Sequence, residues 1–227
     1  KPVFRDALEG SGIDYINVSG EPDKRTIVST LGSGVAMFDY DNDGQLDLYV
    51  VNYVDFHVGN NRICGVEDAS TESAEGTLIR VRKDRRSYCS PDRYRGAPDR
   101  FYRNTGGQFE DVTRRAGLFS TEGKGLGVVT TDYDGDGDTD LYVANDYGRN
   151  CLYRNDGGRF SDVAATAGVE DIAAGMSVSW CDYNGDGRPD VVAVDTRSHY
   201  VELLNYDRRH GLRHALHFKL FEQKSFS

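Results

Sequence analysis

Short apolar segments alternate along the chain with acidic, glycine-containing loops, and the apolar segments have the composition of β-strands. "GVAMF" precedes the first acidic loop and "LDLYVVNYV" follows it, and both are rich in the β-branched and aromatic residues that favour strands. "FYRN" and "LYRN" are also strand-like, and each leads into a turn sequence, "NTGG" or "NDGG". Asn and Gly tolerate the positive φ angles of tight turns. The pattern predicts an all-β protein.

The same arrangement occurs three times, which indicates a repeat architecture. "GSGVAMFDYDNDGQLDLYVVN" begins at Gly32, "GLGVVTTDYDGDGDTDLYVAN" at Gly125 and "GMSVSWCDYNGDGRPDVVAVD" at Gly175. The second and third copies start 50 residues apart. Each unit reads as strand, acidic loop, strand, strand, glycine turn and strand, and periods of about 40–50 residues with four strands are typical of β-propeller blades. "FRDALEGSGI" at Phe4 resembles the tail of one more unit.

Each acidic loop has the spacing of a calcium-binding loop. Carboxylate or amide side chains occupy positions 1, 3, 5 and 9, and a glycine at position 6, Gly44 in the first loop, allows a sharp turn. Ca²⁺ prefers about six to eight oxygen ligands, and the backbone carbonyl at position 7 offers one more. Position 12 of the first loop is Val50, not the bidentate Glu of an EF-hand loop. The prediction is therefore a calcium loop between strands; for a single loop the alternative is a solvated Asp/Gly turn, which the repetition disfavours.

We predict three Ca²⁺ sites, each with ligands at loop positions 1, 3, 5, 7 and 9. The predicted ligands are Asp39, Asp41, Asp43, the carbonyl of Gln45 and Asp47 in loop 1; Asp132, Asp134, Asp136, the carbonyl of Asp138 and Asp140 in loop 2; and Asp182, Asn184, Asp186, the carbonyl of Arg188 and Asp190 in loop 3. Affinity follows the charge of the ligands. Asn184 should therefore make the third site the weakest.

These loops, together with the "LYRN-x-GG-x-F-x-DV" segments, resemble FG-GAP/VCBS-type repeats, as in the heads of integrin α-subunits. "NYVDF" and "YCSPDRYRGAPDRFYRN" are similar to a bacterial group called CRTAC1-like, often linked to ASPIC/UnbV domains. The resemblance covers residues 1 to about 195 and implies a Ca²⁺-binding β-propeller, usually exported, that serves binding or adhesion. Two departures are that three full loops are fewer than the usual six or seven blades, and that no clear ASPIC domain follows.

The chain has 227 residues, and we expect one propeller-type domain over 1–227, in which 196–227 begins a further blade or forms a tail. It opens with "KPVF" and no Met, so we expect a processed, trimmed or fragmentary chain, and closure of the propeller within it stays open. The formal charge of −10 argues against nucleic-acid binding. Three Ca²⁺ would bring the charge to about −4. No apolar run approaches the roughly 18 residues of a membrane span.

One segment interrupts the repeat. The first and second copies start 93 residues apart, so about 43 residues are inserted, at roughly 56–98. A structureless loop of that length is uncommon unless it is stapled or docked, so we expect Cys64 and Cys89 to form a disulfide. Cys151 and Cys181 either pair with each other or remain buried thiols. Disulfides and millimolar Ca²⁺ both indicate an extracytoplasmic location: secreted, periplasmic or at the cell surface.

The insertion is also the predicted contact surface for a protein partner or a larger assembly. It contains the basic stretch "IRVRKDRRSY" and ends in "YCSPDRYR", and Tyr and Arg are enriched at interface hot spots. The alternative is a solvated, mobile loop without a partner.

No catalytic motif is present: the nucleophile elbow, the P-loop and the dinucleotide fingerprint are all absent from the sequence. His210, His214 and His217 have a spacing that could bind a metal on a helix, but "ALHFKLF" alternates as a half-buried strand does. Trp180 precedes the third loop in a strand, where packing in the core is its expected role. The sequence therefore favours a calcium-binding interaction, adhesion or assembly scaffold that is not an enzyme. The alternative, which the UnbV resemblance implies, is an enzyme or accessory factor of a biosynthetic pathway.

Overall fold

The structure is a computed structural model that describes residues 10–13, 34–60, 64, 71–72, 78–79, 89–172, 174–182, 185–195, 200–205 and 214–219. Its strands are β1 (Val35–Phe38), β2 (Asp47–Val50), β3 (Thr71–Glu72), β4 (Leu78–Ile79), β5 (Arg100–Asn104), β6 (Phe109–Asp111), β7 (Gly125–Thr131), β8 (Asp140–Asn145), β9 (Cys151–Asn155), β10 (Phe160–Asp162), β11 (Gly175–Cys181), β12 (Asp190–Asp195), β13 (Tyr200–Asn205) and β14 (His214–Lys219). In these ranges α-helix is confined to α1 (Ala164–Ala167). None of the helical segments described could span a membrane.

Three antiparallel sheets of four strands confirm the predicted all-β, propeller-type fold. Blade 1 has the order β1-β2-β5-β6, blade 2 β7-β8-β9-β10 and blade 3 β11-β12-β13-β14. Each blade thus follows the order of the chain, and each acidic loop joins its first two strands. Residues 196–227 differ from the expectation of a further blade or a tail, because β13 and β14 lie within them and complete blade 3. His214 and His217 accordingly lie in a strand, β14, which agrees with the alternating pattern.

The blades pack face to face through strands that are apolar on both sides. All six residues of β8 are buried. Leu141 and Val143 belong to a core shared with Phe38 of blade 1, whereas Tyr142 faces the other way, into a core shared with blade 3. Trp180 packs against that second core as predicted, with its ring centroid 6.3 Å from that of Tyr142. Because side chains alternate across a strand, one fully buried strand supplies both cores.

At two junctions a backbone hydrogen bond joins the outer strand of a blade to the segment that precedes that blade. The N–H of Phe160, the first residue of β10, donates to the carbonyl of Ala116, which follows blade 1, at 2.8 Å. The N–H of Phe109, the first residue of β6, donates in the same way to the carbonyl of Ser11 at 2.6 Å. Ser11 therefore takes the place before blade 1 that Ala116 takes before blade 2, which agrees with the interpretation of "FRDALEGSGI" as the tail of a preceding unit.

The described residues fall into two compact units. Those within Gly32–Tyr53 and Gly96–Ser227, together with residues 10–13, form the unit that contains the blades, and those within Val54–Arg95 form the second. In the second unit Cys64 and Cys89 form the predicted disulfide, with Cα atoms 5.0 Å apart. The same unit contains the two-stranded sheet of β3 and β4.

The other two cysteines do not pair. Cys151 and Cys181 are both free thiols. Cys151 is only partly buried, and desolvation raises the pKa of its thiol to about 12. Cys181 is exposed, so neither alternative offered from the sequence describes it.

Candidate metal centres

The carboxylate at position 1 organises each acidic loop. In loop 1 (residues 39–47), Asp39 accepts hydrogen bonds from the backbone N–H groups of Asp43, at 3.1 Å, and Gly44, at 2.8 Å. The same two bonds occur in loop 2 (132–140) and loop 3 (182–190), between Asp132 and the N–H groups of Asp136 and Gly137, and between Asp182 and those of Asp186 and Gly187. Gly44 has φ 85°, a left-handed conformation that glycine adopts without strain.

The carboxylate at position 5 closes the next turn. Asp43 accepts a hydrogen bond from the N–H of Gln45 at 2.9 Å, and the equivalent bonds are those of Asp136 with Asp138 and of Asp186 with Arg188. The backbone at position 7, where the sequence predicts a carbonyl ligand, is thus held by a predicted side-chain ligand in all three loops.

In loops 1 and 2 the carboxylates at positions 1, 3 and 5 converge. Asp39, Asp41 and Asp43 each place one oxygen within 4.8 Å of the other two, and Asp132, Asp134 and Asp136 do the same. Asp41 Oδ1 is buried and has no hydrogen-bond partner. Three carboxylate oxygens converging on one point form the donor set that a hard divalent cation prefers, so the residues of these two loops fit Ca²⁺. In loop 3 the predicted ligand Asn184 lies outside the described residues.

The carboxylate at position 9 is buried and bonded to the backbone on both sides. Asp47 accepts the N–H of Tyr40 at 3.1 Å and that of Asn104 at 2.8 Å. Asp140 makes the equivalent pair of bonds, to the N–H groups of Tyr133 and Asn155, and Asp190 is likewise buried. In loops 1 and 2 this residue ties the loop to the end of the third strand of its blade. It is not in the converging groups, so its role as a ligand stays a prediction.

Burial has an electrostatic consequence at position 9. Desolvation raises the pKa of Asp47 above its ordinary value and raises that of Asp140 to about 7, although hydrogen bonds from the backbone oppose the shift. Neighbouring carboxylates of the same loop raise both pKa values further. A cation near these residues would act in the opposite direction, because it favours the charged form.

Sequence reasoning missed Arg103 in loop 1. Its Nη2 lies 2.7 Å from Asp41 Oδ2 and 3.0 Å from Asp43 Oδ2, so one guanidinium bridges two predicted ligands. The corresponding residue of blade 2, Arg154, is directed elsewhere and pairs with Asp156 at 2.8 Å. The recurring "YRN" motif indicates that this arginine has a role. Because the motif is the same in both blades, it does not predict that Arg103 and Arg154 have different partners.

Loop 2 and the end of β9 beside it contact loop 1. Asn42 Nδ2 donates a hydrogen bond across the blades to Asp138 Oδ1 at 2.9 Å, and Asn155 Nδ2 donates to the carbonyl of Tyr40, also at 2.9 Å. Towards loop 3 there is instead a cleft, lined by Asp132, Tyr133, Asp134, Gly135, Gly187, Arg188 and Pro189.

Comparison with known proteins places loops 2 and 3 in a described repeat. The family described as FG-GAP-like repeat matches residues 89–143 and again 132–193. Cartilage acidic protein 1 of Xenopus tropicalis is 24% identical over 163 residues, 71% of this chain and 21% of the relative. The Homo sapiens protein of the same name is 27% identical over 71% of this chain and 20% of its own length. The chain thus spans about a fifth of the curated relatives that it matches.

Solved structures show a more distant likeness. The rhamnogalacturonan lyase YesW is 14% identical, with a TM-score of 0.35 over 79% of this chain and 37% of that one. A rhamnogalacturonan lyase of Bacillus licheniformis has a TM-score of 0.34 over 82% and 40% of the two chains. Both likenesses are too slight to bear on the function of this chain.

Proposed function

The chain carries FG-GAP-like repeats and is homologous to cartilage acidic protein 1, and on this basis we propose that it is a calcium-stabilised β-propeller module for protein interaction or assembly outside the cytosol. The observation that carries the calcium part is the convergence of three carboxylates within 4.8 Å in each of loops 1 and 2. Like charges at such short distances repel one another strongly when they are partly buried. A divalent cation offsets that repulsion.

The residues that would hold the ion are those at positions 1, 3 and 5 of each loop, with the carbonyl at position 7 and the carboxylate at position 9 as further ligands. When bound, the ion supplies positive charge that holds the loop between its two strands. The protein itself arranges the ligands, because the bonds from Asp39 to Asp43 and Gly44 already set the turn in loop 1. Loops 2 and 3 have the same bonds, which supports a site in each loop.

The calcium proposal is tested by counting ions. Native mass spectrometry of the whole chain, dialysed against Ca²⁺, should show three bound ions, and Asp134→Ala should reduce the number to two. Asp156→Ala is the matched control, since Asp156 is exposed, lies outside the converging groups and pairs with Arg154. Binding of no ion, or the same number in all three proteins, would contradict the proposal.

The second unit supports the interaction role. The Cys64–Cys89 disulfide closes a segment of 25 residues in sequence separation, and such a closed loop can present a surface with a smaller loss of chain entropy on binding. Disulfides form and persist in oxidising compartments, so this one supports the extracytoplasmic location. We further propose that the chain acts without catalysis and does not bind nucleic acid.

The interaction proposal is tested by replacing residues 66–86 with a short Gly/Ser linker, which keeps both cysteines. Cross-linking in the native host should lose its protein partner with this variant. Asp134→Ala, which leaves the insertion intact, should retain the partner when Ca²⁺ is abundant. Unchanged recovery of the partner with a folded variant would remove the role assigned to the insertion.

A further inference from the structure

Loop 1 is held from outside by two side-chain amide contacts with blade 2. Asn42 Nδ2 donates to Asp138 Oδ1, and Asn155 Nδ2 donates to the carbonyl of Tyr40, both at 2.9 Å. Tyr40 and Asn42 are positions 2 and 4 of loop 1, on either side of Asp41 in the sequence. Both contacts therefore act on residues that alternate with the predicted ligands.

The blade 2 groups that make these contacts are themselves held by loop 2. Asp138, at position 7 of loop 2, accepts the Gly157 N–H at 2.8 Å with its second oxygen. Asn155 is fully buried. Its N–H donates to Asp140 Oδ1 at 2.8 Å, and its amide also donates to the carbonyl of Thr139 at 3.2 Å. Ordering of loop 2 would therefore also order the groups that contact loop 1.

Asn42 differs from its counterparts in a way that suits this role. It is the one non-glycine residue with a positive φ, 56°, among the described residues. The residues at the same position of loops 2 and 3 are Gly135, with φ 75°, and Gly185, with φ 72°. Asn tolerates the left-handed conformation better than most residues, and it adds an amide that glycine lacks. Loop 2 can make no such side-chain contact from position 4 towards loop 3.

We propose that Asn42 couples metal binding in loops 1 and 2, while loop 3 binds independently; this inference rests on the calcium binding proposed above. A metal ion in loop 2 holds the backbone that carries Asp138. Asp138 then holds Asn42, whose backbone angles set the relative positions of Asp41 and Asp43. The coupling is reciprocal, because a coupling free energy between two binding sites has the same value in both directions.

The amide of the glycine at position 6 reports each loop separately. The N–H groups of Gly44, Gly137 and Gly187 each donate to the position 1 carboxylate of their own loop. Titration of the ¹⁵N-labelled whole chain with Ca²⁺, in salt that screens distant charges, therefore gives a midpoint for each loop. Asp134→Ala disables loop 2. Asn42→Gly removes only the bridging amide, since it installs the residue that the other two loops have and that suits the φ angle.

In the wild-type background, Asp134→Ala should raise the Ca²⁺ midpoint of Gly44 by about fivefold, the low end of typical coupling between sites. In the Asn42→Gly background Asp134→Ala should raise that midpoint by clearly less than fivefold, because of the two amide contacts with blade 2 only the one from Asn155 to Tyr40 remains. The midpoint of Gly187 should not respond to either substitution. Failure of all three glycine signals to respond to Ca²⁺ would remove the calcium proposal itself. A Gly44 midpoint that ignores Asp134→Ala, or a fivefold effect that persists with Asn42→Gly, would leave calcium binding in place and overturn the coupling.

Discussion

At the scale of single residues, two charged side chains, Arg103 and Asp99, make contacts that only the fold creates. Arg103 neutralises part of loop 1 by bridging Asp41 and Asp43. Asp99 lies away from the loops and accepts hydrogen bonds from the Tyr49 hydroxyl and the Asn52 N–H, both at 2.7 Å. Arg103 thus pairs with two predicted metal ligands, and burial raises the pKa of Asp99 above that of an ordinary aspartate.

Arg103→Ala should destabilise the metal-free protein and increase the rise in Tm that Ca²⁺ produces. The guanidinium stabilises the converging carboxylates without an ion and occupies two of the oxygens that an ion needs. Because the pair is partly exposed, we expect a loss of only about 2 °C in the Tm of the chelated protein. The rise in Tm on adding Ca²⁺ should be larger than in the wild type.

Arg154→Ala is the matched control for this prediction, because Arg154 has the same place in blade 2 but pairs with Asp156 outside the converging group. Its Ca²⁺ response should equal that of the wild type, as measured by differential scanning calorimetry with and without chelator. Equal behaviour of the two arginine variants would show that Arg103 does not compete with the ion.

Asp99→Asn should remove a dependence of stability on pH. Burial raises the pKa of Asp99 from its ordinary 3.8 to about 6. The folded state therefore binds this proton more tightly than the unfolded chain does. The stability that results is complete below about pH 3.8 and is lost as the pH rises through about 6. The free energy of unfolding of the wild type, relative to that of the variant, should decline over this range.

Urea unfolding at a series of pH values between 4 and 7, in chelator, measures this difference. Asp92→Asn, at an exposed position of the second unit, is the control for the loss of one carboxylate. A constant offset for Asp99→Asn would mean that Asp99 does not titrate with a raised pKa in the folded protein.

At the scale of secondary-structure elements, hydrogen bonds outside the sheets join loops and turns to neighbouring strands. The position 9 carboxylate connects loops 1 and 2 to the end of the third strand of their blades, as Asp47 does with Asn104. The contact from Phe160 to Ala116 joins blade 2 to the segment after blade 1. At this joint Gly117 has φ 87°, and a Cβ atom there would lie 2.6 Å from the carbonyl oxygen of Phe160.

Gly117→Ala should therefore destabilise the protein more than Gly107→Ala does. Both glycines have positive φ, 87° and 99°, which costs an alanine about 1–2 kcal/mol. A Cβ atom at Gly107 would meet nothing within 4 Å, whereas one at Gly117 would face backbone that must move, which typically adds about 1–3 kcal/mol. Urea midpoints at constant Ca²⁺ compare the two variants. Equal losses would mean that the joint between the repeats is loose enough to absorb a methyl group.

At the scale of the whole molecule, the blades depend on each other because they share cores. Leu141 and Tyr142 are neighbours in β8 but pack into different cores, one towards blade 1 and one towards blade 3. The acidic loops lie at corresponding places in these packed sheets. An ion that stabilised one loop would therefore also stabilise strands that contribute to two cores. Its effect on unfolding should extend to all the blades that share those cores.

Removal of Ca²⁺ should lower the Tm of the whole protein. An ion that binds only the folded state stabilises it by about 2.7 kcal/mol at a hundredfold excess over Kd, which is roughly 5–10 °C per site for a protein of this size. Asp134→Ala should reduce the Ca²⁺-dependent rise in Tm more than Asn184→Ala does, because it removes a charged ligand. Thermal unfolding with Ca²⁺, with Mg²⁺ and with chelator decides the matter. Identical curves in Ca²⁺ and in chelator would contradict a stabilising role for the ion.

Features that depend on nearby residues could be predicted from the sequence. The spacing of Asp39, Asp41 and Asp43 predicts convergence of their carboxylates because all three lie in one short loop. The repeats predict three sheets with one acidic loop each, since each sheet follows the order of the chain. Cys64 and Cys89 could be paired because both lie in the insertion. The spacing of the repeats also predicts that insertion, at about 56–98.

Only the tertiary structure decided how these parts meet, because the contacts join residues far apart in sequence. The bridge from Arg103 to Asp43 spans 60 residues, that from Asn42 to Asp138 spans 96, and that from Asn155 to Tyr40 spans 115. A repeated motif such as "YRN" can predict a local strand and turn, but the partner of its arginine depends on rotamer and packing in each blade. The sequence by itself therefore determined which residues form the loops and blades, and the packing of the blades determined which loops contact each other.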